Sequence, residues 1–198
     1  MPRSKEQNND LRDERRKQLL KAALKVFACR GYAATKISDI AIEAGFSHGL
    51  IHYYFESKEE IYIVVVQQTA QLSHEAIDRF RHMQGSPLEI IRIFIDRNLN
   101  YLDAEENALR WLIMIQVAIS DSVPSETKAL LQSNFYPMEM IQKLIAEGQK
   151  IGEIVEGNPE RLATTFWSLI QGLILFRYYA VGKLPMPDVE MVLRLFKK

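Results

Sequence analysis

Apolar residues recur three and four positions apart through almost the whole chain, and glycines and prolines fall where such stretches end. Leu19, Ala23, Val26 and Phe27 form the first stripe, widened by Leu20 and Leu24 and stopped at Gly31. Ile37, Ile40, Ala41 and Ala44 make a second, short stretch ended by Gly45. Ser47 to Phe55 is expected to form a third short helix, and Ser57 with Glu60 has the spacing of a capping box that opens a fourth. No alternating apolar and polar run is bounded by hairpin turns. The chain is therefore expected to be all-α.

The remainder continues in the same manner. Ser86-Pro87-Leu88-Glu89 opens a helix towards Leu102, and Glu105 to Ile119 follows. Ser125 to about Glu147 is expected to be helical with a kink or break at Pro137. Asn158-Pro159 opens a long helix to about Val181, and a short one starts at Asp188 after Pro185 and Pro187. The expected organisation is a loose tail (1–10), a three-helix unit (11–56) and a larger helical domain (57–198).

Composition narrows the function. With 47% hydrophobic residues over 198 positions, the chain can bury a sizeable core, and no apolar run approaches the eighteen or so residues that span a bilayer. A single cysteine, Cys29, makes no internal disulfide, which fits a reducing compartment such as a cytoplasm. No membrane partner and no cofactor is expected. The net charge of zero hides an asymmetry: residues 1–58 carry 11 basic against 7 acidic side chains. A local positive field suffices to hold phosphates, although a mixed-charge helix is also what solvent favours.

The informative stretch is TKISDIAIEAGFSHGLIHYYFESKEEI, residues 35–61. Two short amphipathic helices meet at Ala44-Gly45-Phe46, where glycine permits a tight turn. At about 100° per residue Ile51 and Phe55 point inward, leaving Gly49 and Tyr53 outward, flanked by His52 and Leu50. A helix entering a major groove presents such a face: N-terminal side chains meet base edges, and hydroxyls and amides hold phosphates. Thr35, Lys36, Ser47, His48, Gly49, Leu50, His52, Tyr53, Tyr54 and Lys58 are the candidate DNA contacts. Half-buried aromatics would explain Tyr53 and Tyr54 equally well. His48 and His52, four apart, could chelate a metal, but no acidic or cysteine ligand lies nearby, so no metal site is expected.

LLKAALKVFACRGY, TKISDIAIEAGFS and HGLIHYYFESKEEI together resemble the N-terminal domain of TetR-family (tetracycline-repressor-like) transcriptional regulators over residues 12–61. Two positions depart from that pattern: His52 stands where a tyrosine is usual, and Leu50 where a small or hydroxylated residue is common. IAEGQKIGEI and WSLIQGLILF are similar, more loosely, to the family's ligand-binding and dimerisation domain. The resemblance implies a homodimeric repressor that binds a palindromic double-stranded operator and is released by a small, largely apolar effector. A DNA-binding protein without an effector, or one regulated by a partner, is the alternative. No phosphate loop, nucleophile elbow or Cys/His cluster argues for an enzyme, and no catalytic residue is assigned.

A helix apolar around most of its circumference, such as 162–181, is normally buried on more than one side. Trp167, Ile170 and Ile174, with Val189, Val192 and Leu193 of the last helix, are the expected dimer contacts. Phe94, Tyr101, Trp111, Met114, Phe135, Met138 and Phe166 are candidate walls of an effector cavity, with Arg97, Arg110 and Gln171 as polar contacts.

Overall fold

The computed structural model describes residues 5–100, 104–132, 136–180 and 185–198. Ten helices occur among them: α1 (Lys5–Ala34), α2 (Ile37–Ala44), α3 (His48–Tyr54), α4 (Lys58–Arg81), α5 (Pro87–Asn100), α6 (Ala104–Ile119), α7 (Ser125–Gln132), α8 (Tyr136–Lys150), α9 (Pro159–Tyr179) and α10 (Val189–Leu193). Most begin where local chemistry supplies a cap. Ser47 accepts from the Leu50 amide, Asn158 from Arg161 and Asp188 from Met191. Ser86 and Glu89 form the reciprocal box expected of them, each accepting from the other's backbone amide at 3.3 and 2.8 Å.

Two local expectations change. The first helix starts at Lys5, so residues 5–10 belong to α1 and not to a tail. α1 breaks at Gly31 (φ 78°), the stop read from the sequence. Pro137 is the second residue of α8, where a helix needs no amide donor, so it starts a helix instead of kinking one.

The chain forms two compact units that divide elsewhere than at residue 56. The first comprises the residues up to Thr69 together with Leu112–Leu131. Leu19, Phe27, Ile40, Ile51, Phe55, Ile61, Tyr62 and Ile113 are among its fully buried large side chains. The Tyr62 ring meets Phe27 edge-on at 4.9 Å, and the Gln116 amide donates to the Ala28 carbonyl at 2.8 Å, which ties the end of α6 to α1. A sequence boundary drawn at a helix start could not anticipate that tie.

The second unit holds Ala70–Trp111 and Gln132–Lys198. Its core gathers Phe80, Ile91, Phe94, Ile95, Ile141, Ile145, Ile154, Phe166, Trp167, Ile170, Val192 and Phe196. After α10 the chain turns back. Ile154 and Lys197 form an isolated antiparallel bridge, with Val155 donating to the Phe196 carbonyl and Lys198 to that of Glu153. This return buries Phe196.

The bridge rests on Gly148. A Cβ there would lie 2.4 Å from Ile154 Cδ1 and 2.7 Å from its Cγ1, and Ile154 is fully buried. Gly148→Ala gains about 1 kcal/mol of helix propensity but forces overpacking that costs about 1–3 kcal/mol. A net loss of stability is expected in urea titration, and an unchanged or raised midpoint would show that Ile154 yields.

Candidate nucleic-acid interface

α2 and α3 are joined by a turn that fixes their angle. Gly45 adopts the left-handed conformation (φ 68°, ψ 30°), its amide bonds the Ile42 carbonyl, and the Phe46 amide bonds that of Ala41 at 2.9 Å. Ile40, Ala41 and Ala44 face inward with Ile51 and Phe55. The two helices and α1 thus form a helix-turn-helix whose second helix carries its other face outward. His48, Gly49, His52 and Tyr53 are exposed, Leu50 and Tyr54 half-buried. The His48 and His52 rings lie 4.8 Å apart, and Tyr53 meets Tyr54 edge-on at 5.2 Å. Among the described residues no group of three His, Cys, Asp or Glu side chains could hold a metal ion.

Two expected contacts are engaged within the fold. Thr35 is buried and donates its hydroxyl to the Gly31 carbonyl at 2.7 Å, because the non-helical glycine leaves that carbonyl for a side chain. Lys58 donates to the carbonyls of Tyr32 and Thr35, at 2.9 and 3.0 Å, and sits 4.4 Å from the centre of the Tyr32 ring. Its ammonium caps the carbonyl end of α1, a favourable place for a cation. Lys36, by contrast, is exposed at the start of α2, its amide held by Asp39 Oδ2 at 2.9 Å. That amide bond, then the Arg30 charge 2.8 Å away, holds the Asp39 carboxyl below the usual range.

The sequence reading missed Arg12 and Arg16. Arg12 lies over the exposed Tyr53 ring at 5.7 Å and Arg16 over Phe55 at 5.0 Å, bringing two cations of α1 beside α3. The spacing carried the information: both lie four-residue steps before Leu20, on the apolar side of α1.

The residues named for an effector cavity do not all converge. Phe94 and Phe166 are buried in the core of the second unit, with Trp111 and Met138 packed against it. Met114 belongs to the first unit, Gln171 is half-buried on α9, and Tyr101 and Phe135 lie outside the described residues. Arg97 is exposed over the Phe80 ring, and Arg110 pairs with Glu106 along α6, so both cations have partners of their own. The expected dimer contacts change more. Trp167, Ile170, Ile174, Val192 and Leu193 are buried in the core of one chain, and Val189 packs against it. α9 meets α5 and α8 of its own chain, and that packing uses its most apolar side.

This arrangement defines a helix-turn-helix DNA-binding protein. The family described as bacterial regulatory proteins, tetR family, matches residues 19–65. The HTH-type transcriptional regulator RutR of Escherichia coli K12 is 29% identical over 161 residues, covering 79% of this chain and 72% of its own. Two solved structures share the fold. The MbdR regulator from Azoarcus sp. CIB has a TM-score of 0.75 at 22% identity, over 91% of this chain and 95% of that one. AibR in complex with isovaleryl coenzyme A and operator DNA has 0.65 at 18%, over 91% and 94%. Over residues 19–65 the chain is thus similar to TetR-family regulators, and the relatives it matches over most of its length are transcriptional regulators.

The roles of the two lysines are separable by salt. Removing a phosphate contact lowers the slope of log K against log salt by about one, whereas removing a side chain that positions the helices weakens binding without changing the slope. Lys58→Met is expected to weaken binding to every duplex at unchanged slope and to lower the melting temperature. Lys36→Met is expected to flatten the slope. A flatter slope for Lys58→Met would place its ammonium on the DNA.

Proposed function

We propose that the protein is a homodimeric repressor that binds a palindromic operator and leaves it when a small, largely apolar effector occupies the second unit. The outward face of α3 carries this reading. His48, Gly49, Leu50 and His52 meet base edges, and Lys36, Ser47, Tyr53 and Tyr54 hold phosphates, with Arg12 beside Tyr53 adding charge. The operator complex of AibR, similar in fold, supports DNA as the partner, and its isovaleryl coenzyme A supports a small-molecule effector. Selection from random duplex DNA, with and without metabolite extract, tests both halves. A palindromic consensus lost in the extract supports the proposal, and enrichment unaffected by any extract would leave a partner-regulated protein.

The dimer is assigned to the side of α9 that its own chain leaves open. Arg161, Thr165, Ser168, Gly172 and Tyr179 are exposed and share one stripe, with Phe176 beside them. Small side chains at Thr165, Ser168 and Gly172 let a twin helix approach closely. A Cβ on Gly172 meets no atom of its own chain within 4 Å, so Gly172→Trp spares the chain's own packing. It is expected to sediment as a folded monomer at micromolar concentration and to lose operator affinity. A dimer with full affinity would move the interface elsewhere.

The effector acts through α4, which starts beside α3 at Lys58 and continues into the second unit. Linkage requires it to prefer the DNA-free state by the factor by which it weakens operator binding, about 5–150-fold for a coupling of about 1–3 kcal/mol. Operator affinity at saturating effector measures that factor.

A further inference from the structure

Among the described residues, the second unit buries one side-chain nitrogen that no protein acceptor meets: the indole Nε1 of Trp167. Trp167 is 5% exposed in the middle of α9. Its surroundings are aromatic. Phe94 stands edge to face with it at 5.3 Å, Trp111 lies at 5.8 Å and Phe166 at 6.3 Å. A ring face is at most a weak partner for an N–H. Phenylalanine would fill this apolar core without burying a donor, so the nitrogen is the unusual feature of the site. An indole N–H donates and never accepts, and a buried donor left unpaired is unfavourable.

We infer that Trp167 Nε1 is the hydrogen-bond donor of the effector site, and that the effector presents a neutral carbonyl or ester oxygen on a compact apolar body. The inference rests on the effector reading above and names the ligand class. An ammonium offers only donors and leaves the indole unpaired, although aromatic faces can attract a cation. A carboxylate would enter without a counter-charge, because Arg97 lies exposed over Phe80 and Arg110 is paired with Glu106. The neutral acceptor alone satisfies the donor and suits the apolar wall.

Three probes of one shape separate these classes: acetophenone, ethylbenzene and protonated 1-phenylethylamine. The chain has two tryptophans, so nitrogen-15 spectra of the full-length protein show two indole N–H signals, which Trp111→Phe assigns. Acetophenone is expected to bind about fivefold more tightly than ethylbenzene, the ordinary net strength of one hydrogen bond, and to move the Trp167 signal downfield. The amine is expected to bind weakest. Trp167→Phe keeps a ring in place and is expected to bind acetophenone and ethylbenzene equally. The wild-type ranking and the Trp167 shift stand as evidence even if that variant fails to fold. Equal binding of acetophenone and ethylbenzene by the wild type, or a preference that survives in Trp167→Phe, overturns the inference and leaves an effector site of another chemistry. If no probe binds, the inference is overturned, and the operator selection with extract decides the effector reading independently.

Discussion

A single residue in the left-handed conformation fixes what the DNA-reading unit can present. Gly45 turns the backbone between α2 and α3 and satisfies two carbonyls at the end of α2 with its own amide and that of Phe46. A side chain at that position would meet backbone strain even though the space around it is open. Once the turn is set, Ile51 and Phe55 close onto Ile40 and Ala44, and the rotation of α3 about its axis is determined. The exposure of Gly49, His52 and Tyr53 follows from that packing and needs no contribution from the outer face itself. The fold therefore constrains the residues of that face, His52 among them, less than it constrains Ile51 and Phe55.

How much of this was legible in the sequence depended on how local each cause was. Helix starts at Ser47, Ser86, Asn158 and Asp188 were readable because the cap and the amide it satisfies lie three residues apart. The partners of Lys58 lie 26 and 23 residues away along the chain, and those of Gln116 lie 88 away. Lys58 read as a phosphate contact because the carbonyls that hold its ammonium are remote in sequence. Thr35 failed for a subtler reason. Its partner is only four residues off, but the carbonyl is available only because Gly31 departs from helical geometry. Reading that bond required knowing the conformation of the break, and glycine permits several.

The long helix α9 shows a different limit. Periodicity registers that most of its circumference is apolar, but not which neighbour covers each side. The structure sends Ala163, Phe166, Trp167, Ile170 and Ile174 into the chain's own core. Thr165 and Ser168 lie on the side of α9 that its own chain leaves open. Small residues are as suited to close helix packing as large ones, and hydropathy does not register that property. The return of the C-terminus onto residues 153–155 covers Phe196 from a direction that no single helix could reveal.

Charge follows the same logic of placement over total. A chain with no net charge gains no general attraction to a polyanion, so its cations must act at short range. At physiological ionic strength the Debye length is about 8 Å, and acidic side chains farther than that from the phosphates contribute little. The excess of acid after residue 58 therefore does not oppose phosphate binding by the basic residues 1–58 in proportion to its count. What matters is where the cations of α1 sit, and Arg12 and Arg16 sit on the rings of Tyr53 and Phe55. A guanidinium held on an aromatic face loses less side-chain freedom on meeting a phosphate than one ranging through solvent. The same contact places the Arg12 charge beside the exposed Tyr53 ring. Neutrality overall therefore places the weight of any phosphate binding on local, oriented cations and not on a long-range field.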